Sequence, residues 1–163
     1  MKIERSLVLL KPDAIQRGLI GKVISRFEDA GIKIIGSKMV WIDENHGKKH
    51  YFDVADRHGE EVLQKLLKYV TMGPVLALCL EGANAIPVIR KMVGATDPHK
   101  ALPGTIRGDY AHMSLQYADA NNKTHTNIIH ASAKPDEAEL ELSLWFKPEE
   151  LHTYKTTHEC LCM

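Results

Sequence analysis

The chain has 163 residues, 44% of them hydrophobic, which points to one compact domain with ample material for a core. Lys plus Arg number 21 and Asp plus Glu number 21, so the formal charge is zero. That balance excludes a global basic footprint for nucleic acid or a membrane surface, and any anionic ligand must be met by locally gathered cations. A run of about eighteen apolar residues is missing, and Met1-Lys2-Ile3-Glu4-Arg5 lacks the apolar stretch of a secretory signal, so a cytoplasmic location is expected.

Ser6 to Leu10 is a short, nearly continuous apolar run that suits a buried strand, and it stops at Lys11-Pro12-Asp13. Leu19, Ile20, Val23, Ile24 and Phe27 recur at helical spacing, and Gly31 follows as a terminator, which predicts a helix over 19–30. Residues 34–42 return to branched and aromatic side chains and read as a second strand. Asp43 can cap a short helix running toward Tyr51, and Val62, Leu63, Leu66, Leu67 and Val70 form another amphipathic stripe. Both helices are expected to cover one face of a sheet. After Gly73-Pro74, residues 75–80 are apolar throughout and read as a central strand. Asn84 is placed to cap a helix with Pro87 in its first turn and an end near Gly94.

From Ala95 to Thr126 the periodicity disappears, and Pro98, Pro103, Gly104 and Gly108 mark a long loop region of the kind that is usually functional. Asn127 to His130 is strand-like, and Pro135 to Phe146 makes a final helix. The order strand, helix, strand, helices, strand, helix, strand, helix contains the βαββαβ pattern of a ferredoxin-like α+β sandwich, an antiparallel four-stranded sheet covered by helices. Many functions use that architecture, so the site must supply the rest.

Cys79, Cys160 and Cys162 are odd in number, and the last two lie too close for an ordinary disulfide framework; reduced thiols are expected. His158 alternates with Cys160 and Cys162, a combination able to bind metal, although a structural or incidental tail is the favoured reading.

P-loop, dinucleotide and protein-kinase signatures are all missing. Isolated cations stand instead at element ends: Lys11 after the first strand, Arg90 near a helix C-terminus and Arg107 within a Gly-rich segment. Arg offers phosphate oxygens forked hydrogen bonds and Lys a point charge, while each is also compatible with a solvated surface position. His130 follows two isoleucines and precedes Ala131 and Ser132. Its near-neutral pKa leaves a nucleophilic imidazole that can carry a phosphoryl group, and Glu141 on the next helix can return to hydrogen-bond the other ring nitrogen. Taken alone, His130 is better read as a packed structural histidine than as a catalyst.

Together, Lys11-Pro12-Asp13-Ala14-Ile15-Gln16-Arg17-Gly18, Gly94-Ala95-Thr96-Asp97-Pro98, Pro103-Gly104-Thr105-Ile106-Arg107-Gly108-Asp109 and Asn127-Ile128-Ile129-His130-Ala131-Ser132 resemble the motifs of nucleoside diphosphate kinases, in the family's order. The resemblance runs from about Glu4 to Leu151. It gives one domain over 1–151 and a tail over 152–163. It implies ping-pong transfer of the γ-phosphoryl group from a nucleoside triphosphate to a diphosphate through His130. Lys11 would touch the phosphates and ribose, and Tyr51 would sit beside the histidine. Arg90, Thr96 and Arg107 would bind phosphate oxygens, and Asn127 would hold the sugar. Glu141 would orient the imidazole, with Ser132 supporting that carboxylate. Mg²⁺ would enter on the nucleotide's phosphates with no metal cage built from the protein. The resemblance also implies a homo-oligomer, tetramer or hexamer, with no membrane or nucleic-acid partner. A non-catalytic nucleotide-binding regulator of the same fold is the competing reading.

Three positions depart from the family's pattern. Val62 falls where a stacking phenylalanine is usual, Ala133 replaces a common acid, and the segment over about 111–126, which contains Tyr117, is about ten residues longer. That insertion is expected to be a surface loop, with closure over the nucleotide base or a subunit contact as the alternatives.

Overall fold

A computed structural model describes residues 2–162, with the side chains of Leu161 and Cys162 outside the description. In chain order the elements are β1 (Ile3–Leu10), α1 (Pro12–Gln16), α2 (Ile20–Asp29), β2 (Lys33–Val40), α3 (Glu44–His50), α4 (Val54–His58), α5 (Glu60–Thr71), β3 (Val75–Ala83), α6 (Ala85–Val93), α7 (Ile106–Tyr110), α8 (Leu115–Ala120), β4 (Ile129–Ala131), α9 (Pro135–Trp145) and α10 (Thr157–Cys162). Single 3-10 turns lie at Pro98–Lys100 and Pro148–Glu150. The strands form one antiparallel sheet in the order β2-β3-β1-β4, the ferredoxin-like α+β arrangement.

Helices on both faces of the sheet explain why its inner strands read as unbroken apolar runs. Along β1, Leu7 and Leu9 join a core with Leu63, Leu67 and Trp145 of α5 and α9, while Val8 and Leu10 point into a second core with Val23, Phe27 and Ile89 of α2 and α6. Strand β3 divides in the same way, with Val75, Ala77 and Cys79 on one side and Leu76, Leu78 and Leu80 on the other. Period-two alternation therefore persists, but both phases are apolar.

Local chemistry sets several boundaries. The Asp43 carboxylate accepts the amide of His46 at 2.8 Å and starts α3, as the sequence predicts. Lys11-Pro12-Asp13, read as the end of a strand, also begins α1, because Pro12 sits at the first helical position where its missing N–H costs nothing. Asn84 does not cap α6 with its side chain; it adopts the left-handed region at φ 51, and the Glu4 carboxylate accepts the amide of Ile86 at 3.2 Å instead. The supposed loop over 95–126 contains α7 and α8. Apart from these and the 3-10 turn at Pro98–Lys100, the segment is irregular.

The tail runs along the free edge of β2. His152 donates its amide to the Ile35 carbonyl at 2.7 Å, Tyr154 donates its hydroxyl to Ile34 at 2.6 Å, and Lys33 pairs with Glu159 at 2.7 Å. This covers part of an edge that would otherwise present unpaired backbone groups. His158 packs over Gly31 and Cys160 is an exposed thiol; the Cys162 side chain lies outside the described residues. Among the described residues no helix is long and apolar enough to cross a membrane.

Candidate active site

His130 lies at the centre of β4 and pairs in register with Leu9. Cross-strand partners share a face. Ile129 and Ala131 accordingly enter one core, while His130 points to the side occupied by α3, α5 and α9. Its Nε2 lies 2.7 Å from Glu141 Oε1, and the other carboxylate oxygen accepts the Ser132 hydroxyl at 2.6 Å. Ser132 is in turn fixed by the Leu7 amide, which donates to its Oγ at 3.1 Å. A central strand thus sets the carboxylate, and the carboxylate sets the ring.

Burial first, and then the charges of Lys11, Arg107 and Arg90, hold the His130 imidazole well below its ordinary pKa. The ring is neutral at pH 7, its side chain 19% exposed to the cleft. Burial raises the Glu141 carboxyl, against opposing contributions from His50, Ser132 and Arg90. With Nε2–H donated to Glu141, Nδ1 keeps a free lone pair.

The cations are positioned by backbone as much as by one another. Lys11 caps the transition from β1 to α1, and its Nζ donates to Asn127 Oδ1 at 2.8 Å. Burial and Arg107 lower its pKa to about 7. Arg107, buried on α7, donates to the carbonyls of Asn127 at 3.2 Å, Gly94 at 3.0 Å and Ile129 at 2.5 Å. Burial, with Arg90 second, brings its pKa to about 10, so it stays charged at neutral pH. Thr105 starts α7 by accepting the Gly108 amide at 3.1 Å, and a methyl group on Gly108 would collide with the Leu102 carbonyl. Arg90 on α6 donates to the Ala131 carbonyl at 3.3 Å. Asn127 completes the group by donating its amide to the Thr96 carbonyl at 3.0 Å.

Lys11, Tyr51, Arg90, Thr96, Arg107, Asn127, His130 and Glu141 all line one cleft of about 860 Å³; Ser132 stands behind it, beneath Glu141. Tyr51 is buried in the wall with its hydroxyl unpartnered, and its ring packs edge-on to His50 at 4.6 Å. The aromatic group directly against His130 is His50, with ring centroids 4.7 Å apart. Sequence reading missed it. The signal was the spacing of His46 and His50 on one face of α3, both of which meet Trp145.

A second network was also missed. Tyr69 donates its hydroxyl to Asp13 at 2.6 Å and accepts the amides of Asn127 at 3.1 Å and Ile128 at 3.2 Å. These bonds hold Ile128 at φ 58, a left-handed conformation costly for a β-branched residue. Two residues on stands His130, so the strained backbone lies immediately beside its imidazole.

The longer segment is largely exposed, as a surface insertion is, and it also forms a wall of the cleft. Leu115, Asp119, Lys123, Thr124 and His125 line it. Asp97 accepts the Leu115 amide at 3.3 Å and faces His125 at 3.8 Å, while Asp119 of α8 reaches Lys65 of α5 at 3.7 Å. Val62 also lines the cleft and is 39% exposed.

The nucleoside diphosphate kinase family model matches residues 4–151. The nucleoside diphosphate kinase of Borreliella burgdorferi is 43% identical over 162 residues, covering 98% of this chain and 97% of that protein. That of Pyrococcus furiosus is 50% identical over 153 residues, covering 94% and 89%. A solved structure of the Borrelia burgdorferi enzyme, described as a transition-state mimic with bound vanadate and ADP, superposes with a TM-score of 0.94 at 43% identity, covering 97% of this chain and 95% of the other. Sequence, fold and cleft agree over nearly the whole length, and the chain belongs to the nucleoside diphosphate kinase family and has its phosphotransferase activity.

Proposed function

We propose that His130 carries the phosphoryl group between the two nucleotides, by attack of Nδ1 on the γ-phosphorus of a nucleoside triphosphate. The observation that carries this reading is the 2.7 Å contact of Nε2 with Glu141, which leaves Nδ1 as the nitrogen with a lone pair. As the N–P bond forms, the bond from phosphorus to the β,γ-bridging oxygen breaks and the diphosphate leaves with that electron pair. Positive charge then develops on the imidazole, and Glu141, fixed by Ser132, stabilises it through Nε2–H. In the second half-reaction a terminal oxygen of another diphosphate attacks the same phosphorus and restores the neutral ring. Ping-pong order follows.

Lys11, Arg90 and Arg107 supply positive charge where the transferred group passes, and Thr96 and Asn127 add polar contacts toward phosphate and sugar. Tyr51 lines the same wall. Mg²⁺ is the proposed divalent ion. Among the described residues the one cluster with metal-ligating groups is His50, His130 and Glu141, not an all-oxygen cage, which fits an ion carried by the nucleotide's phosphates. When bound, it neutralises phosphate charge. Val62, Leu66 and Leu115 give the far wall an apolar face that suits any base, which supports a broad nucleotide range.

Exposed Ile3, Met39 and Trp41 leave apolar surface that self-association would bury, supporting a homo-oligomer, tetramer or hexamer. The free thiols of Cys79 and Cys160 fit a cytoplasmic location. The direct test is intact mass after incubation with ATP and Mg²⁺. A phosphoryl adduct is expected on wild type, discharged by a different nucleoside diphosphate, and none on His130→Ala. An adduct of equal yield on the variant would remove His130 from this role.

A further inference from the structure

We infer that His50, His130 and Glu141 form a metal site distinct from the nucleotide-borne ion, one that takes a zinc-class divalent cation on two imidazole nitrogens and a carboxylate oxygen and blocks phosphoryl transfer. One donor atom from each residue lies within 4.8 Å of the others. His50 Nδ1 is 3.8 Å and His130 Nε2 is 2.7 Å from the same oxygen, Glu141 Oε1. Tetrahedral zinc with bonds of about 2.1 Å separates its ligand atoms by about 3.4 Å. The two distances to Glu141 Oε1 lie on either side of that value and the third ligand pair lies within 4.8 Å, so ring shifts on the order of an ångström would close the site.

Donor chemistry favours this class of ion. Two imidazoles and one carboxylate suit zinc, with a fourth position open to water, whereas magnesium prefers oxygen ligands in octahedral array. The Ser132 hydroxyl on Glu141 Oε2 leaves Oε1 directed at the rings. His50 is fully buried and its Nε2 has no partner, while Nδ1 accepts the Trp145 indole N–H at 3.2 Å. All three ligands border the cleft, which gives an ion its route.

The consequence for the reaction comes from proton placement and rests on the reading of His130 as the nucleophile. A neutral imidazole carries one N–H and one lone pair. In the active arrangement the proton is on Nε2 and the lone pair on Nδ1. A metal on Nε2 needs a lone pair there, so the Nε2 proton moves through solvent to Nδ1 and the ring binds as the other tautomer. The nitrogen that should attack phosphorus then bears hydrogen. Inhibition therefore comes from a change of tautomer and needs no competition for the nucleotide site.

The test begins with zinc titrated calorimetrically into nucleotide-free enzyme. One ion per chain is expected, with binding at least tenfold weaker in His50→Gln and unchanged in a Cys160→Ser, Cys162→Ser double variant. Zinc should also quench or shift Trp145 emission in a Trp41→Phe background, because His50 Nδ1 ceases to accept the indole proton. Cobalt in place of zinc should give a spectrum without thiolate charge transfer, a readout on the native chain that does not depend on how His50→Gln folds. Wild-type binding retained by His50→Gln, loss in the cysteine variant, or thiolate charge transfer would overturn the site. Enzyme preloaded with zinc and freed of excess should fail to take a phosphoryl group from ATP, and recover with a chelator. Equal phosphorylation with and without zinc would overturn the inhibitory role, whereas no phosphorylation of the metal-free enzyme would instead overturn His130 as nucleophile.

Discussion

At one end of the cleft, Lys11, Arg107, Asn127 and Glu141 are each tied by hydrogen bonds to groups on the sheet or on the loops that meet it. At the other end Val62 stands on α5 and Leu115 and Asp119 on the short α8, all three exposed, and a 3.7 Å ion pair between Lys65 and Asp119 joins the walls. The contrast matches what each end must do. Charge developing during transfer is stabilised by dipoles and cations that need not reorganise, so their positions are over-determined. A wall that accepts many bases gains nothing from such fixing.

Substitutions should therefore fall into two classes, and the phosphate end should give the large effects. Arg107→Ala removes a cation and orphans the carbonyls of Gly94, Asn127 and Ile129. A fall in kcat/KM on the order of 10³-fold is expected, with little rescue by Lys, which cannot reproduce the three-way fork. Steady-state kinetics checks it; near-wild-type values would detach Arg107 from the reaction. Glu141→Gln keeps the shape but loses the charge that answers the imidazolium, and should lower kcat on the order of 10²-fold while KM changes little. Proportional changes in both constants would indicate a binding role instead.

Lys11 makes the phosphate end sensitive to pH. Burial, then Arg107, lowers its pKa from 10.5 to about 7 in the free enzyme, so above pH 7 its charge is lost. Polyphosphate favours the charged form, and kcat/KM should fall as pH rises, approaching about tenfold per unit if only that form binds. Stability of the nucleotide-free protein runs the other way. Between about 7 and 10.5 the unfolded chain binds the extra proton, so this group makes the fold more stable as pH rises through that window. Parallel pH–rate and unfolding profiles test the pair of slopes; matching signs would contradict the assignment. The smallest effect belongs to the far wall: Val62→Phe adds a stacking face on a 39% exposed position and should tighten purine nucleotides by less than about threefold. A change of tenfold or more in competition binding would mean that this wall is as constrained as the other.

Much of the sheet was legible because its signals are local. The apolar runs of β1 and β3, the stripes of α2 and α5 and the Asp43 cap each occupy one stretch of chain. The candidate residues were legible through motif resemblance, and the fold brings them to one cleft. What stayed hidden was made by distant partners. Tyr69 and Asp13 lie 56 positions apart, and only folding reveals that they hold Ile128 in a strained turn. His50 looked like one of several histidines in a polar helix until α9 brought Trp145 and Glu141 against it. Helix α8 was hidden for another reason: its six residues carry too little apolar periodicity to stand out, and its anchors, Asp97 and Lys65, come from elsewhere.

In the proposed mechanism Glu141 holds Nε2 and so directs the phosphoryl group to Nδ1. Nitrogen-detected NMR on histidine-labelled enzyme, trapped after ATP and before any acceptor is added, reads the site of attachment directly. Phosphorus bonded to Nδ1 of His130, with Nε2 still protonated, is the predicted result. Attachment at Nε2 would contradict the account, because that nitrogen would have had to leave the carboxylate on which the geometry depends.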